Sequence, residues 1–166
     1  LNNLEKVISV LPGYIETKNL KPLKELKKHD NRKLDIFYRA RNNSMALGKF
    51  SLRKSRIAKE FLSLELPHLS TDISLDPKDT ILGKQWFLAL ENSRVVLGVE
   101  AGASVFDPEG SIRSKVEEYM KNNPEASYSE LNENVLKKNE GLLEYKSISP
   151  RHFESIMFKT CQVLYE

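Results

Sequence analysis

The chain has 166 residues, of which 40% are hydrophobic and 30% are charged, so one ordinary domain with a buried core is expected. Its 26 basic and 23 acidic residues leave a formal charge of +3, too small an excess to indicate nucleic-acid binding by bulk electrostatics. The single cysteine, Cys161, excludes an internal disulfide bond and a zinc site built from several thiolates. Without an apolar run of membrane-spanning length or an opening signal peptide, a cytoplasmic protein is expected.

The first 34 residues are basic and irregular, and Pro12-Gly13 predicts a turn within them. We interpret residues 1–34 as a linker that leads into a domain covering residues 35–166. The sequence begins without an initiator methionine and stops inside a predicted strand. We therefore expect it to be a segment of a longer polypeptide that is truncated at the carboxyl end of the domain.

Predicted strands and helices alternate from residue 35 onwards. The run "LDIFYRA" predicts a strand, "SLRKSRIAKEFLSLEL" a helix capped by Ser51, and "LSTDISL" a weak second strand. "TILGKQWFLALENS" has helical spacing of apolar residues, which makes Trp86 a predicted core residue. "RVVLGVE" is the clearest strand, since a continuous apolar run is typical of strands buried on both faces.

The second half of the chain opens with a predicted loop, "AGASVFDPEG". Two charged amphipathic helices are predicted within residues 111–139, and Ser127 or Ser129 is the candidate cap of the second. "LEYKSIS" predicts a short strand, "SPRHFESIMFK" a helix and "QVLYE" a last strand. Cys161 lies in an apolar run, so we interpret it as a core residue and not as a nucleophile.

This alternation favours an α/β fold, a Rossmann-like parallel sheet with helices on both faces. Ligands of such sheets collect at the carboxyl ends of the strands. The loops after Tyr38, after Val99 and before Phe153 are therefore the places where binding residues are expected.

The stretch "SPRHFE" has the composition of an anion site at a helix start. Ser149 fits the N-cap and Pro150 the first turn, and free N–H groups with the helix dipole attract anions there. Arg151 and His152 add positive charge, while Glu154, about one turn further, can accept hydrogen bonds from a vicinal diol. Phosphate plus diol is the outline of a nucleotide sugar. The alternative is a capping arrangement in which Glu154 only complements the helix dipole.

Two other loops carry candidate binding residues. "FYRARNNSMALGKFSLRKSR" brings arginines and lysines, among them Arg41 and Lys54, to the end of the first strand and the next helix. The alternative there is a solvated basic face. "LGVEAGASVFDPEG" presents Glu100 and Ser104 beside small residues that permit a close backbone approach to a ligand, and its alternative is a tight structural connection. The three histidines are widely scattered, so no histidine metal site is expected.

Three stretches, taken in order, resemble the carboxyl-terminal, donor-binding domain of GT-B-fold glycosyltransferases. They are "DIFYRAR", "LGVEAGASVFDPEG" and "ISPRHFESIMFKTCQVLYE". The likeness covers about residues 34–166 and is closest to the "group 1" type of surface-polysaccharide loci. It implies a nucleotide-diphosphate sugar as donor substrate, with no other cofactor and no metal. It also implies an amino-terminal domain that this sequence lacks and that would bind a glycan or lipid-linked acceptor. At most peripheral membrane contact is implied, and the segment would be inactive alone.

The resemblance also implies roles for individual residues. Ala40-Arg41 is similar to the family's Gly-Arg and Lys54 to its following lysine, and in the family both face the donor diphosphate. By the same match, Glu154 is the glutamate that holds the ribose hydroxyls. The family's second glutamate is replaced by Lys146, so contacts to the donor sugar fall to Glu100 or Ser104 as candidates.

Two other functions compete with this interpretation. In the first, the chain is a non-catalytic α/β interaction module, and the charged helices in residues 111–139, which resemble an insertion in the family pattern, form the partner surface. In the second, weaker one, it is another enzyme for a phosphate ligand on a similar sheet.

Overall fold

The structure, a computed structural model, describes Val10, residues 13–15 and residues 25–165. The predicted linker lies mostly outside these residues, as does Pro12 of its predicted turn. Within the described part, the strands are β1 (Leu34–Arg39), β2 (Thr71–Ser74), β3 (Ser93–Val99), β4 (Ala101–Ala103), β5 (Tyr145–Ser147) and β6 (Cys161–Tyr165). The α-helices there are α1 (Arg53–Ser63), α2 (Lys84–Asn92), α3 (Ser111–Asn122), α4 (Tyr128–Leu131) and α5 (Pro150–Met157).

Four strands form a parallel sheet in the order β2-β1-β3-β6. Ile36 of β1 lies opposite Thr71 of β2 on one side and opposite Val95 of β3 on the other. The prediction of an α/β fold with a parallel sheet is confirmed, and the architecture is compatible with a Rossmann-like fold. None of the helices in the described residues is both long enough and apolar enough to cross a bilayer.

Helices cover both faces of the sheet, as predicted. Because successive strand residues point to opposite faces, Ile36 and Tyr38 pack with Ile57 of α1, whereas Phe37 packs on the other face. There it meets Trp86 of α2 together with Met157 at the end of α5. The carboxyl edge of β1 and β3 is therefore flanked by α1 on one side and by α5 on the other.

Residues 101–147 lie between β3 and α5, and we call this segment, which contains the predicted helices at 111–139, the insertion. The insertion core is made of buried residues that come from it and from the loop after β1: Ala46, Val105, Ile112, Val116, Leu131 and Leu136. The predicted loop at residues 101–110 is wrong in its first three residues, since β4 pairs antiparallel with β5. Gly102 permits this pairing, because a Cβ there would lie 2.4 Å from the Tyr145 carbonyl oxygen.

Two predictions about helix starts have different outcomes. Ser127 caps α4 in a capping box, accepting from the Glu130 amide at 3.3 Å while the Glu130 carboxylate accepts from the Ser127 amide at 2.8 Å. The helix then changes at once to a π-helical turn (Asn132–Leu136). The prediction that Ser51 caps α1 is wrong. A 3-10 turn precedes this helix, and the buried Ser51 hydroxyl donates to the Gly48 carbonyl at 2.7 Å.

The interpretation of Cys161 as a core residue is also wrong. Cys161 is exposed because β6 is the outer strand of the described sheet and pairs with β3 along one edge. Val163 and Leu164 on the same strand are 41% and 56% exposed. An apolar sequence alone therefore does not bury a strand; the strand must also lie between two neighbouring strands in the sheet.

Candidate functional site

Two adjoining cavities open where β1 and β3 end and α5 begins. The inner cavity, of about 120 Å³, is lined among others by Tyr38, Lys54, Gly98, Ser149, Arg151 and His152. The outer cavity, of about 260 Å³, is lined among others by Arg39, Arg41, Asn43, Lys54, Asp79 and Arg151. Lys54 and Arg151 line both and so stand at their junction, at the edge where parallel sheets bind ligands.

The start of α5 partly follows the predicted cap. Pro150 occupies the first turn, and Ser149 takes the extended N-cap conformation without a side-chain cap bond. The Ser149 carbonyl lies 3.0 Å from Nδ1 of His152, which turns the imidazole towards β3. The close fit requires Gly98, since a Cβ at that position would lie 2.8 Å from Nε2 of His152. His152 thereby becomes part of the wall of the inner cavity.

The junction of the cavities is electropositive. Burial lowers the pKa of Lys54, and the nearby Arg151 guanidinium lowers it further. Burial raises the pKa of Tyr38 to about 12, and its hydroxyl donates to the Lys54 carbonyl at 3.1 Å. In the described part of the chain, no carboxylate lies within ion-pair distance of Lys54, Arg41 or Arg151. Two cations thus face each other without a neutralising partner from these residues.

The two arginines at the end of β1 differ in availability. Arg39 pairs with Asp72 at 2.6 Å and donates to the backbone carbonyls of Asp72 and Asp79 at 3.0 and 3.1 Å. Arg41 is exposed and donates to the Thr80 hydroxyl at 3.2 Å. Arg39 therefore holds the fold together, while Arg41 keeps donors for a ligand.

Glu154 occupies a different setting from the open mouth that the sequence predicts. Its Oε2 accepts a hydrogen bond from Nε1 of Trp86 at 2.7 Å. The same indole lies under the Arg151 guanidinium, whose central carbon is 4.8 Å from the ring centroid. Arg151 also donates to the Arg39 carbonyl. Sequence reasoning missed this role of Trp86, because helical spacing marks it only as a core residue.

The two candidates after β3 lie apart from the cavities. Glu100 is exposed, with an oxygen 3.4 Å from Nη1 of Arg53. Ser104 is completely buried, and its amide donates to the Leu47 carbonyl at 2.9 Å. Its hydroxyl would lie 2.1 Å from a Cβ added at Gly48 and so points towards that loop. Neither Glu100 nor Ser104 lines the two cavities, so their contact with a donor sugar stays a prediction.

The structure thus brings four predicted residues, Arg41, Lys54, Arg151 and His152, to the walls of two cavities that share Lys54 and Arg151. Glu154 joins them indirectly, through Trp86. When the chain was compared with protein-family models, curated proteins and solved structures, none of these matched it.

Proposed function

We propose that the chain is the donor-binding domain of a GT-B-fold glycosyltransferase and holds a nucleoside-diphosphate sugar for transfer to a glycan or lipid-linked acceptor. One observation carries the proposal: Lys54 and Arg151 stand at the junction of two cavities, without a carboxylate partner among the described residues. The ordered resemblance of three sequence stretches to that family supports it.

A diphosphate suits this junction for electrostatic reasons. Burial of the Lys54 ammonium and, to a smaller extent, its closeness to Arg151 cost free energy, as the lowered pKa of Lys54 indicates, and a bound dianion offsets that cost. Arg151 can contact phosphate oxygens with two donors, while Lys54 supplies a point charge. In sugar transfer the same two cations would stabilise the negative charge that develops on the leaving diphosphate.

The neighbouring residues suit the rest of such a donor. One carboxylate oxygen of Glu154 accepts a hydrogen bond from Trp86, and the other forms no hydrogen bond within the described residues. That oxygen is our candidate acceptor for the ribose hydroxyls. The outer cavity, of about 260 Å³, comes close to the lower end of the range of small-molecule pockets, about 300–1,000 Å³. The acceptor and any general base would come from another domain, so these residues bind the donor without turning it over.

Calorimetric titration of the protein with UDP, GDP and their sugars tests the proposal. We expect saturable binding that weakens about tenfold or more in Lys54→Met and in Arg151→Met, because each change removes a charge-assisted contact of about 1.5–3 kcal/mol. Arg41→Ala and Glu154→Ala are expected to weaken it as well. Arg113→Met on α3 is the matched control, since Arg113 is exposed and pairs with Glu117. Absence of nucleotide binding, or equal binding by all variants, would show that the proposal is wrong.

The pH dependence of binding gives a separate prediction for Lys54. Its pKa is lowered in the free protein, and a bound anion favours the ammonium form, so binding raises that pKa again. Affinity for UDP should therefore fall as pH rises through the lowered pKa of Lys54, and protons should be taken up on binding in that window. Calorimetry in buffers with different ionisation enthalpies measures this uptake. Lys54→Arg, which stays charged, should lose the excess uptake; equal uptake in both proteins contradicts the assignment.

The interaction-module alternative has one observation in its favour. A groove of about 560 Å³ lies between α3 and the π-helical turn, lined by charged and apolar residues that include Glu118, Tyr119, Val135 and Lys137. A module of this kind would bind no nucleotide and would lose its partner on charge reversal at Glu117, Glu118 and Lys121. The nucleotide titration therefore separates the two functions.

A further inference from the structure

Trp86 contacts two residues of opposite charge with two different parts of its indole. Its ring face carries the Arg151 guanidinium at 4.8 Å, and its N–H donates to Oε2 of Glu154 at 2.7 Å. The Trp86 ring also packs in the core, where the centroids of the Trp86 and Phe37 rings are 5.5 Å apart. With only 7% of its surface exposed, Trp86 is held in place by the core on which its helix rests.

The two charged residues would otherwise be natural partners for each other. Arg151 and Glu154 lie three positions apart on α5, a spacing that puts side chains next to each other on one side of a helix. An ion pair between them would neutralise both. In the described residues no such ion pair is formed, and each side chain lies on the indole instead.

We propose that Trp86 is a positioning residue, which keeps Arg151 available for the diphosphate and aims Glu154 at the ribose hydroxyls. This inference rests on the proposed function and adds to it a residue outside the resemblance. A buried indole N–H requires an acceptor, and here that acceptor is a carboxylate, which the hydrogen bond fixes in one orientation. The second oxygen of Glu154 is thereby left to receive a hydroxyl.

Trp86→Phe separates the two contacts, since phenylalanine keeps an aromatic face for Arg151 but has no N–H for Glu154. The probes are inorganic pyrophosphate, which reports on Arg151, and UDP and GDP beside their 2′-deoxy counterparts, which report on the ribose. For Trp86→Phe we expect a smaller loss of pyrophosphate affinity than for Trp86→Leu, because phenylalanine keeps the aromatic face under Arg151 although the released Glu154 can now compete for the guanidinium. The preference of Trp86→Phe for the ribose form should fall about tenfold, the loss of one hydrogen bond to a charged group. Trp86→Leu should lower both the pyrophosphate affinity and the preference for the ribose form.

Two comparisons exclude a merely structural effect. Phe87→Leu loosens the same helix, because the Phe87 ring packs 5.8 Å from that of Phe158, and should lower stability without changing the ribose preference. In a Glu154→Ala background, Trp86→Phe should have no further effect on that preference, since it acts through Glu154.

The outcomes distinguish this inference from the proposed function. If the wild type binds neither pyrophosphate nor any of the nucleotides, the proposed function is wrong, and the role of Trp86, which rests on it, is wrong as well. If nucleotides bind but Trp86→Phe weakens ribose and deoxyribose forms equally, or leaves both unchanged, only the role of Trp86 is overturned. A selective loss of ribose preference, absent in the Glu154→Ala background, establishes it.

Discussion

Replacing Arg32 by methionine is expected to lower the free energy of unfolding by about 3–4 kcal/mol, among the larger effects of single substitutions. Arg32 is only 4% exposed, and its guanidinium joins parts of the chain far apart in sequence. Nη1 donates to the Ser93 carbonyl at 2.7 Å and to the Thr160 hydroxyl at 3.0 Å, while Nη2 donates to the Phe158 carbonyl at 2.5 Å. Methionine would remove these three donations to buried acceptors, at about 1–3 kcal/mol for each group left unsatisfied before relaxation.

Urea denaturation followed by circular dichroism measures this change. Arg32→Lys should be intermediate, because one ammonium cannot reach all the acceptors of a planar guanidinium. Arg113→Met is the control, since an exposed pair at 3.9 Å contributes at most about 0.5 kcal/mol. A loss below about 1 kcal/mol in Arg32→Met would contradict the assignment. Although Arg32 falls within the predicted linker, these bonds make it part of the packed domain.

Replacing Gly48 by alanine is expected to cost about 3 kcal/mol or more. Gly48 has φ of 83° and ψ of −173°, a conformation that residues with a Cβ adopt only with strain of about 1–3 kcal/mol. The new Cβ would also lie 2.1 Å from Oγ of Ser104 and 2.7 Å from a carboxylate oxygen of Glu140. Ser104 is completely buried and cannot move aside freely, so overpacking adds about 1–3 kcal/mol.

Gly110→Ala is the matched control for this second change. Gly110 also has positive φ, 76°, but nothing lies within 4 Å of a Cβ added there, so only backbone strain of about 1 kcal/mol remains. Hydrogen exchange should show that Gly48→Ala weakens protection first in the insertion core, next to which the clash occurs. Equal stability losses in the two variants would mean that the contact with Ser104 has no energetic role.

Gly48 also matters for the proposed site. It lies in the middle of the loop between β1 and α1, with Arg41 before it and Lys54 after it. The Leu47 carbonyl next to it accepts the amide of Ser104 at 2.9 Å. The insertion thus contacts this loop at a point between two of the proposed diphosphate contacts.

The sequence by itself determined the order and type of most elements, because apolar periodicity and turn residues act locally. The runs around Phe37 and Val96 are strands in the parallel sheet, and Pro150 opens α5 as predicted. The location of Arg41, Lys54, Arg151 and His152 near one another also followed from sequence, since carboxyl ends of parallel strands meet at one edge.

Only the tertiary structure decided which polar side chains are bound to other residues of the protein and which are available to a ligand. Arg39 is bound to Asp72, 33 positions away, and Trp86 to Glu154, 68 positions away. Sheet order exposed Cys161, and pairing of β4 with β5 accompanies the burial of Ser104. Each of these outcomes depends on contacts between residues remote in the chain. Local sequence patterns carry no information about such contacts, because the packing of the sheet and its helices decides them.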